Sequence, residues 1–234
     1  MAQAKMNIAV VDASNKYETG RDANGNLIDR MDNGRLTRMA KKALEAAKAE
    51  GKLFNIKVTT DIIFLHKVMP RVGFHPGNYD HLPKAIIPTF KKLLKADAII
   101  FTSAVQWYSM NAAQKSFIEH LTALEYGPEL LAEHFPGFDL KEGRQLSGKH
   151  LGVLVSCNED GGQQVANSIV APLSDMRAKL VAGGMLYQNS SNKEGGEDGW
   201  QLLPEVVGEN IVRQWGEEHG IELDNNDWEA REAA

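Results

Sequence analysis

The chain has 234 residues, 43% of them hydrophobic, which is enough to build one α/β domain with a full core and no second domain. Its formal charge of −5 is spread along the chain, without the run of Lys or Arg that tracks a phosphate backbone, so nucleic acid is excluded as an expected partner. No apolar segment approaches the roughly 18 residues needed to cross a bilayer, and the start MAQAKMN lacks the apolar stretch of a secretory signal, so no membrane contact and a cytoplasmic location are expected; the single Cys157 cannot form an internal disulfide, in keeping with a reducing compartment.

Asn7–Asp12 (NIAVVD) is short, apolar and β-branched, the pattern of a parallel strand buried on both faces. A helix follows from Leu36 to Glu50, with Leu36, Met39, Ala40, Ala43, Leu44 and Ala47 at helical spacing and Gly51 as the expected stop. The connection between them is unusually long. Within it, Lys16–Asp32 reads as a small β-hairpin with Asn24-Gly25 at a tight turn. A calcium loop counted from Asp22 is disfavoured, because Leu27 and Asn33 stand where an EF-hand needs Gly and Glu.

Phe54–Ile63 is the second expected strand, placed nearer an edge, and a long loop runs from it through Tyr79. Leu82–Leu94 reads as a helix with Pro83 in its first turn and a break or kink at Pro88. Ala98–Phe101 is the third strand. It leads through the small-residue and aromatic segment Ala104–Met110, read as a loop, into a helix over Asn111–Glu125. The region 126–148, with Pro128, Pro136, Gly137 and Gly143, reads as an excursion from the sheet that could face a partner. His150–Ser156 is the fourth strand, Gln163–Val181 the fourth helix, Met185–Tyr187 a short fifth strand and Leu203–His219 the last helix, ahead of an acidic, mobile tail after Leu223.

Five alternating strand and helix units predict a parallel sheet with right-handed crossovers and helices on both faces. The count of five favours the order 2-1-3-4-5 over the six-stranded dinucleotide fold, and no G-x-G-x-x-G follows the first strand. In such a sheet ligands bind outside the carboxyl ends of the strands, where the strand order reverses. The loop after Ala98–Phe101 is therefore the first candidate for a site.

Three segments carry a family resemblance. FTSAVQWYSMNAAQKSFIEHL is similar to a strand, an aromatic loop and a helix bearing a Lys followed by an aromatic and an aliphatic residue, here Lys115, Phe117 and Ile118. VVDASN and, after the insertion, NGRLTRMAKKALEAA resemble a phosphate loop and its helix, while LGVLVSCNEDGGQQ resembles the fourth strand and its glycine-containing loop. On these the chain resembles the flavodoxin-like superfamily of NADPH-dependent FMN reductases and NAD(P)H quinone reductases. The resemblance implies a flavodoxin-like three-layer sandwich and FMN as cofactor, with NADPH or NADH as hydride donor and free flavin, a quinone or a similar small molecule as electron acceptor. It also implies a homodimer or homotetramer. The chain departs from the family pattern in the Lys16–Asp32 insertion, in Ala104 where Pro is usual, and in Glu119 and His120 where relatives often carry Asp and Arg.

A helix N-terminus with free amides suits a flavin phosphate. Ser14 and the segment Asn33–Thr37 are the expected cradle: Ser14 and Thr37 offer hydroxyls, Asn33 an amide, Gly34 and Leu36 backbone, and Arg35 or Arg38 charge. Asn33 also suits a plain helix cap. Ala104, Val105, Gln106, Trp107, Tyr108 and Ser109 are expected along the isoalloxazine ring, with backbone amides at its polar edge and two aromatic faces, although such a pair also suits core or dimer packing. Ser156, Cys157, Asn158, Gly161 and Gly162 form the expected opposite wall; Cys157 reads as a buried small hydrophobe rather than a catalytic thiol. Glu159 and Asp160 read as solvated charges. His66, His75 and His81 lack the paired spacing of a metal site, and no metal is expected. No side chain need act as acid or base, because the flavin carries the chemistry. The competing readings are a flavodoxin-type electron carrier and a flavin-less interaction protein on the same fold.

Overall fold

Two faces of alternating apolar side chains on each central strand give the molecule its layers. The computed structural model describes residues 3–14, 19–21, 27–29, 34–73, 82–125, 131–157, 161–189 and 204–221. In chain order these form β1 (Ala4–Asp12), β2 (Thr19–Arg21), β3 (Leu27–Asp29), α1 (Arg35–Leu53), β4 (Ile56–Phe64), α2 (Leu65–Val72), α3 (Ile87–Lys95) and β5 (Ala98–Gln106). There follow β6 (Ser109–Met110), α4 (Ala112–Leu121) with a 3-10 turn over Thr122–Glu125, β7 (His150–Cys157), α5 (Gly162–Asp175), β8 (Lys179–Asn189) and α6 (Pro204–Glu218).

The five long strands are parallel and lie in the order β4-β1-β5-β7-β8, which is 2-1-3-4-5 counted along the chain. This is the flavodoxin-like order. On one face Met6, Ile8 and Val10 of β1 pack with Leu36, Met39 and Ala43 of α1 and with Val207 and Ile211 of α6. On the other, Ala9 and Val11 pack with Phe90 of α3, Phe117 of α4 and Ile169 of α5. Period 2 on the strand thus sorts neighbouring residues into separate helical layers. The strand β4 is at the edge of the sheet, as expected.

Several boundaries differ from the sequence expectation, each for a local reason. Gly51 does not stop α1, which continues to Leu53. A Cβ on Gly51 would stand 2.6 Å from Val58 Cγ2 and 2.7 Å from Ile56 O, so this glycine lets α1 lie against β4; the chain reverses instead at Asn55, with φ 53°. The segment after β4 is not all loop: α2 forms at once, carrying Pro70 in its last turns. Pro88 does not kink a helix running from Leu82 but sits in the first turn of α3, where its missing N–H costs nothing.

The helix expected to reach Val181 ends at Asp175; Arg177 turns the chain at φ 61°, and Lys179–Val181 are already strand. An irregularity opposite Leu151 and Val153 at Gly183-Gly184 divides β8, which hides its length from a period-2 reading. The expected hairpin in the insertion is present as β2 and β3, paired Thr19 to Asp29, Gly20 to Ile28 and Arg21 to Leu27; its Asn24-Gly25 turn lies outside the described residues. In the excursion, Leu131, Phe135 and Leu146 turn inward and are buried. The acidic tail lies outside the described residues, and among those described no helix is long and apolar enough to cross a membrane.

At the amino ends of the strands, away from the reversal of strand order, Lys149 caps α3. Its Nζ donates to Leu94 O at 2.9 Å and to Ala96 O, and burial followed by the repulsion of Lys141 lowers its pKa to about 8. Next to it His150 is buried 3.4 Å from Glu218, which Lys179 also meets at 2.8 Å; burial holds the His150 pKa below its usual value.

Candidate functional site

The carboxyl ends of β1, β5 and β7 come together where the strand order reverses, and a buried charge lies at their centre. Asp12, the last residue of β1, is fully buried. Its Oδ2 accepts from Thr37 Oγ1 at 2.6 Å; its Oδ1 accepts from Ser14 N–H at 2.8 Å and Thr102 Oγ1 at 3.0 Å. Three donors satisfy a carboxylate that would otherwise be very costly to bury. They also fasten the end of β1 to the first turn of α1 and to the middle of β5.

Asn111 adds a fourth element to this hub. Its side-chain oxygen caps α4 by accepting from Gln114 N–H at 2.9 Å, and its Nδ2 donates to Ala13 O at 2.8 Å. One buried side chain therefore both starts a helix and holds the loop after β1. Gln114, in the first turn of α4, is fully buried, and neither of its side-chain polar atoms has a hydrogen-bond partner among the described residues.

The segment Ala104–Met110 differs in form from the expected loop. Ala104–Gln106 continue β5, and Ser109–Met110 return as β6, with Val105 paired to Met110 and Gln106 to Ser109. Only Trp107 and Tyr108 remain as the turn, with φ 48° and 60°. Positive φ at both central residues is the type I′ hairpin geometry, which Asn-Gly adopts easily and aromatic residues adopt at a cost. Despite that cost Trp107 is 96% and Tyr108 57% exposed, so core packing does not explain the pair. Strain of this kind concentrates at ligand-handling positions.

Gly161 holds the tip from the other side. It has φ 87°, and a Cβ there would meet Tyr108 Cδ1 at 3.1 Å, Tyr108 Cα at 3.2 Å and Val105 Cγ1 at 3.3 Å. Gly161 therefore meets the hairpin through bare backbone. Ser156 stands beside Ala104 in the sheet register, Cys157 is buried, and Gly162 begins α5.

Of the residues expected at the site, Ser14, Arg35, Leu36, Thr37, the Ala104–Ser109 segment, Ser156, Cys157, Gly161 and Gly162 all lie at this end of the sheet, while Asn33 and Asn158 fall outside the described residues. Two expectations change in kind. Thr37 is fully buried and donates its hydroxyl hydrogen bond to Asp12, so it braces the α1 turn; Leu36 is buried in the core and offers this turn only its backbone. Asp12, Thr102 and Asn111 carry the hub and went unremarked in the sequence, although a charged residue closing an apolar strand and an Asn opening a helix were visible signals. His120, which stands where relatives often carry Arg, is buried, with Nδ1 2.8 Å from Ser116 O, and Glu119 lies 3.4 Å from Lys115.

The residues present here suit a flavin ring: two solvent-exposed aromatic side chains at the hairpin tip, seated against the backbone of Gly161. The phosphate end is built differently. The N-terminus of α1 has no acidic residue in its first turn, which suits an anion, yet Asp12 already lies against that turn.

The strand order and the helices on both faces define a flavodoxin-like α/β protein, with its candidate site at the carboxyl ends of β1, β5 and β7. Residues 23–192 match the model of the NADPH-dependent FMN reductase family, and the chain belongs to that family of FMN-dependent oxidoreductases. Among solved structures it is similar to RosB with the bound intermediate 8-demethyl-8-formylriboflavin-5′-phosphate, at TM-score 0.63 and 15% identity over 98% of this chain and 88% of that one. It is also similar to a flavone reductase, at TM-score 0.60 and 16% identity over 95% of this chain and 67% of that one. An oxidoreductase from Corynebacterium diphtheriae aligns at TM-score 0.53 and 16% identity over 94% and 97% of the two chains. At these identities the likeness is one of fold. No curated protein matches the sequence.

Proposed function

We propose that the chain binds FMN at the carboxyl edge of β1, β5 and β7 and uses NADPH or NADH to reduce free flavin, a quinone or a similar small acceptor. The observation that carries this reading is the β5–β6 hairpin, whose strained, solvent-facing Trp107-Tyr108 tip rests on Gly161 beside the reversal of strand order. Bound FMN supplies two-electron redox chemistry between a nicotinamide and the acceptor. The chain's own part is placement. Backbone groups of Gln106–Tyr108 serve the polar edge of the ring, Trp107 and Tyr108 offer aromatic faces, and Gly161 and Gly162 let the opposite wall approach. The hydroxyl of Ser14, Arg35 and the first backbone amides of α1 are the groups available to the phosphate end.

The exposure of Trp107 also suits a site finished by a second subunit, and we take the working form to be a homodimer or homotetramer. Anaerobic addition of NADPH to the FMN-loaded protein tests the reading. Bleaching of the flavin band within the turnover time, with recovery on adding a quinone or free FMN, is expected. Bleaching only through a separate reductase would instead identify an electron carrier.

A further inference from the structure

Two of the donors an anion would use at the α1 turn are, among the described residues, already turned toward an anion of the protein's own. Thr37 is the third residue of α1, and its hydroxyl donates to Asp12 Oδ2 at 2.6 Å. The Ser14 amide, in the connection that leads to α1, donates to Asp12 Oδ1 at 2.8 Å. Both donors belong to the segments where a flavin phosphate is expected. Both are spent on a carboxylate with no solvent exposure.

A dianionic phosphate at this turn would therefore meet two deficits: fewer donors, and the like charge of the buried Asp12, which already contacts that turn through Thr37 in a poorly screening interior. The cations on the same turn are Arg35, half-buried, and Arg38, exposed to screening by water and salt. The ring end has no such conflict. Asp12 and Ser14 also precede the stretch matched by the family model, which begins at residue 23, so this feature is outside what the family match describes.

We propose that Asp12 is a specificity-determining residue that weakens retention of the flavin phosphate, so that the bound flavin is held mainly by its ring and exchanges readily with flavin in solution. This rests on the flavin reading above and names the kind of flavin the site favours: one gripped without regard to its phosphate.

The test is fluorescence titration of the full-length apoprotein with FMN and with riboflavin, for wild type and Asp12→Asn. An amide keeps the shape and an acceptor while removing the charge. In wild type the two flavins should bind within about threefold of each other. In D12N the FMN affinity should rise about tenfold or more, with riboflavin little changed. Ordinary charge-assisted bonds to a phosphate would give wild type about a hundredfold preference for FMN, and that result overturns the inference while leaving the flavin reading intact. An unchanged FMN-to-riboflavin ratio in folded D12N does the same. If D12N fails to fold, the wild-type ratio alone decides between the two outcomes. Wild type that binds neither flavin removes the flavin reading and this inference with it.

Discussion

Replacing Gly161 by Ala should injure the site through a contact that can be counted. Gly161 has φ 87°, where an L side chain costs about 1–2 kcal/mol. The new Cβ would also stand 3.1 Å from Tyr108 Cδ1, 3.2 Å from Tyr108 Cα and 3.3 Å from Val105 Cγ1. Two of these three atoms belong to the hairpin turn and one is backbone, so the tip must move by a few tenths of an ångström, adding about 1 kcal/mol. The sum, about 2–3 kcal/mol, corresponds to a fall of roughly 5–10 °C in Tm for a chain of this size. Displacing the tip should also weaken FMN binding about tenfold. Gly137→Ala is the control, because Gly137 has φ 78° with nothing within 4 Å of its would-be Cβ. It should carry only the backbone cost and leave FMN affinity unchanged. Scanning calorimetry and flavin fluorescence on the two variants decide the matter. If G161A matches G137A in both stability and affinity, the hairpin does not depend on the bare backbone at Gly161.

Three further expectations follow from single side chains. Asn111→Ala removes the α4 cap and leaves Ala13 O without its donor, a loss of about 2–4 kcal/mol in chemical denaturation together with weaker flavin binding; a loss of stability alone would separate the hub from the site. Gly208→Ala places a Cβ inside the van der Waals radius of Ala43 O on α1, so the α1–α6 pair should lose about 3 kcal/mol or more, and a normal Tm would contradict the packing. For Lys149 the folded pKa of about 8 lies below the ordinary 10.5, so the folded state holds this proton less tightly than the unfolded state. Its charge therefore costs stability below pH 8, and the cost fades as pH rises toward 10.5. Against Lys149→Met, wild type should gain about 3 kcal/mol across that window; a pH-independent difference between the two would remove the buried charge from the account.

Much of the fold was legible because its signals are local. NIAVVD and His150–Ser156 are apolar runs of strand length, and the helical spacing from Leu36 to Ala47 leaves little choice, so the number and order of units were readable before any geometry. The errors fall where a tertiary contact overrides the local signal. Gly51 carries the signature of a helix stop, but its missing Cβ serves the approach of α1 to β4. Trp107-Tyr108 gives no hairpin signal, because turn chemistry favours Asn and Gly at positive φ; the strained turn follows from strands β5 and β6 pairing around it. The site was half legible in the same sense. Its loops could be located from the strand ends, but nothing in the sequence shows that Thr37 and Thr102, 25 and 90 positions from Asp12, converge on one carboxylate.

The central claim is that flavin binds at the β5–β6 hairpin, and titrating a fixed, low concentration of FMN with the full-length protein, in wild type and with Trp107→Ala, tests it most directly. Saturable quenching of flavin fluorescence at one flavin per chain, weakened by Trp107→Ala with no change in Tm, is the expected result. Flavin fluorescence that stays constant as protein is added, or quenching that is the same in wild type and Trp107→Ala, would contradict it.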